Sequence, residues 1–143
     1  MPETASNPFT GEHSRSLAPQ PSAAAVYEEH IRALNAAEWE GQLQQFPDHG
    51  EIHLKNGQVL RGRQAISDFI AGGVRPRSAG GVEGLTFTEQ SRLTVGDTVV
   101  VHWVADADWL AEPDQGSDAY VTDGQYMVAM VTTFDPEGLV FED

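Results

Sequence analysis

The chain has 143 residues, 40% of them hydrophobic, no cysteine, and a formal net charge of −14, which suits one globular domain with a real core. The composition excludes disulfides, thiolate nucleophiles and cysteine-based zinc sites, and no apolar run approaches the roughly 20 residues of a membrane helix. No Lys or Arg follows Arg92, so neither a nucleic-acid backbone nor an anionic membrane meets the clustered cations that would hold it. The start of the chain has no basic segment leading into an apolar block, so a cytoplasmic protein is expected.

Residues 1–22 are rich in Pro, Ser, Thr and Asn without apolar period, a composition that reads as a flexible arm before a single domain at 23–143. A first helix begins near Ser22, its N-cap, with Val26, Tyr27, His30, Ile31 and Leu34 on one face. A short helical piece over 38–46 offers Trp39, Leu43 and Phe46, and Pro47 to Gly50 turns the chain. Residues 51–54 and 59–61 read as strands joined at Asn56-Gly57, a tight hairpin signal. A helix over 63–71 would bury Ala65, Ile66, Phe69 and Ile70, ending at Gly72-Gly73. Residues 74–84 read as a loop rich in Gly, Arg, Pro and Ser.

Alternation then takes over. Strands are expected over 85–93, 98–109 and 125–134, with a last one starting at Leu139. Residues 111–124 read as a solvated acidic loop. Helices first and strands afterwards define an α+β domain with helices packed on one face of a mainly antiparallel sheet.

The segments IRALNAAEWEGQLQQFPDHGEIHL, NGQVLRGRQAISDFI and GDTVVVHWVADADW resemble the nuclear transport factor 2-like superfamily, closest to its SnoaL-like and ketosteroid-isomerase-like branch. The likeness covers Ala24 to Asp143. It implies a cone-shaped fold enclosing a pocket and pairing as a homodimer. The activities it implies are those of cofactor-independent cyclases, isomerases and dehydratases, alongside non-catalytic modules. An ungapped alignment of LNAAEWEG places His30 where ketosteroid isomerase has a tyrosine, Leu54 at its base and Met130 at its buried acid. Apolar side chains neither take nor donate protons, so that route is closed. The Asp-Arg-Asp arrangement of the superfamily's epoxide hydrolases is absent too, for want of an arginine in the strand.

Candidate catalytic groups are His30, titrating near neutrality on an apolar helix face, paired with Asp106 or Asp108 should the long strand twist them inward. Their ordinary alternation puts Val101, Trp103 and Ala105 in the core and both aspartates outside. Tyr27, Leu34, Trp39, Phe46, Leu54, Phe69, Trp103 and Met130 are the expected substrate-binding residues. Met127 and Met130 lie three apart, so a regular strand turns only one of them inward. No metal is expected: His49, Glu51 and His53 alternate but fall in a turn and an outward face, and the acidic loop lacks calcium-loop order. The expected function is an enzyme acting by acid/base catalysis, without cofactor, on a hydrophobic polyketide- or terpenoid-like molecule. The alternative is a ligand-binding or dimerisation module of the same fold.

Overall fold

The computed structural model describes residues 2–141. Strands β1 (Ala5–Ser6) and β2 (His13–Ser14) form a small hairpin. Helices α1 (Ala23–Asn35) and α2 (Trp39–Leu43) come next, then strands β3 (Glu51–His53) and β4 (Val59–Arg61) and helix α3 (Arg63–Gly73). The remainder is sheet: β5 (Thr86–Val95), β6 (Thr98–Asp106), β7 (Asp114–Thr122) and β8 (Met127–Thr132). The six-stranded sheet runs β4-β3-β8-β7-β6-β5, antiparallel throughout except where β3 lies parallel to β8. None of the helices described is long and apolar enough to cross a membrane.

The first helix starts as its sequence dictates. Ser22 is extended, and its hydroxyl accepts the Ala25 N–H at 3.2 Å, satisfying one of the free donors at the helix start. Val26, Tyr27, His30 and Ala33 then fall on the buried face. The β3–β4 hairpin turns through Gly57 at φ 91°, a conformation open to glycine and strained for other residues. Val101, Trp103 and Ala105 of β6 point into the core, as alternation predicts.

Several expectations change. The arm is folded onto the domain: Ala5 is fully buried, and Ser6 is held by the Gln64 amide at 2.9 and 3.0 Å and by the Ser67 hydroxyl at 2.7 Å. Side chains on α3 thus supply partners that composition cannot reveal. Phe69 is 37% exposed and Ala65 half-buried, while Arg63, Ser67 and Ala71 join Ile66 and Ile70 in the buried stripe of α3. The acidic stretch is strand β7, paired with β6 on one side and β8 on the other. Ladder hydrogen bonds on both edges override the poor strand propensity of its Asp, Ser and Gly. Finally, both Met127 and Met130 are buried, because the register between β7 and β8 shifts near Val121 and Thr122, a bulge that resets alternation. The strand expected over 98–109 ends at Asp106, and the strand expected from Leu139 is a single bridge between Leu110 and Phe141.

Candidate functional site

All three helices and the sheet close over one cavity of about 80 Å³. From the helix side it is lined by His30 and Leu34 of α1, Gln42 of α2, and Phe69 and Ile70 of α3. The sheet contributes Ile52, Phe87, Asp118, Met130 and Thr132, with Phe46, Val82 and Phe134 completing the wall. Phe69 and Phe134 also border an outer groove of about 350 Å³ that contains Leu54, Lys55 and Glu137. The two rings therefore stand between the inner space and the outside.

Two titratable side chains share this apolar wall. His30 is 3% exposed, and burial lowers its pKa to about 4, Gln45 offsetting part of the shift. A neutral imidazole results, because burial penalises the charged form. Its Nδ1 is buried without a hydrogen-bond partner among the described residues, and so is Gln45 Oε1. Gln45 thus lies close enough to affect the imidazole yet outside hydrogen-bond geometry. Nδ1 is therefore closed off, which leaves Nε2 as the ring nitrogen that a ligand could reach.

Asp118 is the second group. It is 6% exposed, and burial raises its pKa while Thr132, Trp103 and Tyr120 act to lower it. Its Oδ1 accepts the Trp103 indole N–H at 3.1 Å and its Oδ2 the Tyr120 hydroxyl at 2.8 Å. The Tyr120 ring lies 5.2 Å from that of His30 and 5.2 Å from that of Tyr27. Trp103 pairs with Gly116 across the β6–β7 ladder. A side chain at Gly116 would collide with the indole, within 2.7 Å of its Cζ2; glycine there lets the indole lie across β7 and reach Asp118. What these groups can do chemically is take up and return a proton beside an apolar, shaped space.

The structure brings together His30, Leu34, Phe46, Phe69 and Met130 of the expected residues. Tyr27 and Trp39 are buried beside the site without lining it, Tyr27 under the Arg92 guanidinium at 4.6 Å and Trp39 donating to Ser67 at 2.9 Å. Trp103 donates to Asp118 without lining the cavity itself, and Leu54 lies in the outer groove. Asp106 and Asp108 are exposed and border a different groove beside Thr86, so strand twist does not bring them to His30. Glu51 and His53 form a half-buried contact of 2.9 Å on β3, and no group of side chains able to hold a metal ion occurs among the described residues. The residue missed from the sequence is Asp118. Its signal was the alternation of Asp118, Tyr120 and Thr122 around Ala119 and Val121, which is that of a half-buried strand.

These features define an α+β fold with a helix-capped cavity. The profile of the SnoaL-like domain matches residues 27–140, and the chain belongs to that family. Among solved structures it is similar to a protein from Sphaerobacter thermophilus at 26% identity, covering 81% of this chain and 100% of that one with a TM-score of 0.62. It is similar in fold to an NTF2-like protein of unknown function from Cytophaga hutchinsonii (12% identity, 82% and 94% covered, TM-score 0.63). It is similar in the same way to the epoxide hydrolase/cyclase-like enzyme SalBIII, of pyran ring formation in the polyether salinomycin (13% identity, 84% and 95% covered, TM-score 0.64). No curated protein matches the chain by sequence.

Proposed function

We propose that this chain is a small-molecule enzyme of the cyclase or isomerase kind, working by proton transfer between a hydrophobic substrate and the pair His30 and Asp118. The observation that carries the proposal is the placement of both groups, almost fully buried, on the wall of one apolar cavity. A proton leaves the substrate to His30 Nε2 or to the Asp118 carboxylate and returns at another substrate atom. The balance is that of an isomerisation or ring closure, and the step draws on the chain's own residues. The inner space accommodates a compact ring; a longer polyketide- or terpenoid-like substrate extends past Phe69 and Phe134 into the outer groove. Likeness in fold to SalBIII supports this class of chemistry.

A second reading, a non-catalytic binding module, draws on the fact that both Asp118 oxygens already have protein donors. Turnover of a panel of hydroxylated and epoxide-bearing polyketide-like compounds separates the two. The enzyme reading expects the wild type to convert a member of the panel and His30→Gln and Asp118→Asn each to lose at least a hundredfold, the usual scale of one acid/base group. Unchanged turnover in both variants removes the mechanism.

A further inference from the structure

Most hydrogen-bond donors around the cavity are already engaged by the protein. Gln45 Nε2 donates to Val26 O at 2.8 Å, which fixes the amide and turns Oε1 away from that carbonyl. Gln45 Oε1 and His30 Nδ1 are the two buried side-chain atoms without partners among the described residues. A proton on Nδ1 sets a donor beside the Gln45 oxygen, the pairing that suits both atoms although the two stop short of a hydrogen bond, and it leaves Nε2 as a lone pair. Gln42 repeats part of the pattern: one N–H of its amide donates to Glu38 O at 3.1 Å, which leaves Oε1 and a single N–H uncommitted. Trp103 and Tyr120 spend their N–H and O–H on Asp118. Thr132 sits opposite Asp118 in the ladder and serves the same carboxyl, while its oxygen accepts the Phe134 N–H at 3.0 Å.

We infer that the cavity selects a hydrogen-bond donor, and that its ligand is a compact apolar molecule bearing a hydroxyl group rather than a carbonyl. The inference rests on the His30 and Asp118 site proposed above and names its substrate class. A carbonyl oxygen would find one Gln42 N–H at most among acceptors and lose most of its water without replacement, whereas a hydroxyl finds Nε2, Gln42 Oε1 or the carboxylate. An ammonium group would meet the same acceptors but bring a full charge into an otherwise apolar space.

Two measurements on the full chain test this. A long-range proton–nitrogen NMR spectrum at neutral pH reads the His30 tautomer directly: protonation at Nδ1 is expected, and protonation at Nε2 overturns the inference. Titration with cyclohexanol and with cyclohexanone, followed at Ile52, Ile70 and Met130, reads the selection. The alcohol is expected to bind roughly tenfold more tightly, about one hydrogen bond's worth. Equal or tighter binding of the ketone overturns donor selection and leaves the acid/base proposal to the His30 and Asp118 variants. A failure of both probes to move any of these residues overturns it as well. Gln45→Leu is expected to abolish the tautomer preference; a preference retained in that variant counts against the inference, and the wild-type spectrum decides should the variant not fold.

Discussion

Two buried polar clusters, one at the start of α3 and one beneath α1, differ in how completely they are satisfied. Arg63 is fully buried. Its guanidinium donates to Glu3 O at 2.9 Å, Leu43 O at 3.2 Å, Phe46 O at 2.7 Å and Ser16 O at 3.3 Å. No carboxylate of the described residues pairs with it within salt-bridge distance. Four of its five N–H donors tie the N-terminal arm, α2 and the following turn to α3. His30 is nearly as buried, yet one ring nitrogen is orphaned and the other is left for the cavity. Buried polar groups cost free energy unless paired. A saturated cluster is therefore read as architecture, and an unsaturated one on a cavity wall as a place kept for a ligand.

The largest effect expected from that contrast is at the saturated end. Arg63→Leu removes a donor from four backbone carbonyls at once, and we expect a loss of about 4 kcal/mol, with release of the arm. Urea denaturation measures the loss, and limited proteolysis within residues 2–22 reports the arm. A variant as stable as the wild type would break the comparison from the architectural side. At the unsaturated end, His30→Gln and Asp118→Asn should cost about 10² to 10⁴ in kcat while the fold persists. The check is kcat beside the denaturation midpoint: activity falling only in step with stability would make this cluster architectural as well.

The pH dependence of stability sharpens the contrast further. His30 titrates near 4 when folded against 6.5 when free. Above pH 6.5 both states are neutral there, and the site adds no pH dependence. Between 6.5 and about 4 the unfolded chain holds a proton that the folded chain does not, so stability falls as the pH falls, by about 3 kcal/mol in total. Asp118, facing the same cavity, has the opposite sign: its raised folded pKa makes stability fall as pH rises from 3.8 toward that folded value. Tyr120, between them, stays protonated throughout this range, burial and Asp118 raising its pKa. The difference between wild-type and His30→Gln denaturation curves isolates the histidine. A flat difference from pH 7 to 4 contradicts a neutral, buried His30.

A smaller effect tests how the carboxylate is held. Gly116→Ala puts a Cβ against the Trp103 indole and Thr133 Oγ1, and overpacking of this kind costs about 1–3 kcal/mol. Because the indole is what reaches Asp118, kcat should fall further than stability alone explains, with a shifted pH–rate profile. Loss of stability with an unchanged profile would leave Trp103 as core packing.

Much of the fold was legible because local signals carried it: the Ser22 cap, the Asn56-Gly57 turn, and the 3.6-residue period that put His30 on a buried face. The parts that were not legible depend on distant partners. Residues 2–22 lack an apolar pattern, and what orders them is Arg63, Gln64 and Ser67 on α3. Strand β7 reads as a loop because Asp114, Gly116, Ser117 and Asp118 disfavour strands in isolation, and pairing on both edges decides otherwise. The same error hid half of the site. Read as a solvated loop, this stretch makes Asp118 one acid among many and leaves Asp106 and Asp108 of the long strand as the apparent partners of His30.

The smallest expected effect lies on that strand. Asp106 and Asp108 are exposed, and Asp106 Oδ1 accepts the neighbouring Ala107 N–H at 2.9 Å in the turn that ends β6. Neither borders the cavity. An exposed carboxylate with a local turn contact contributes little, so the double substitution Asp106→Asn, Asp108→Asn should change stability by no more than about 0.5 kcal/mol. Asparagine retains the oxygen that accepts the Ala107 N–H, and turnover should be unaltered. Thermal unfolding and kcat/KM with a substrate accepted by the wild type measure both. A fall in kcat/KM of a hundredfold, equal to that of Asp118→Asn, would mean that a side chain outside the cavity reaches the chemistry. The distinction between the saturated and the unsaturated cluster would then no longer locate the site.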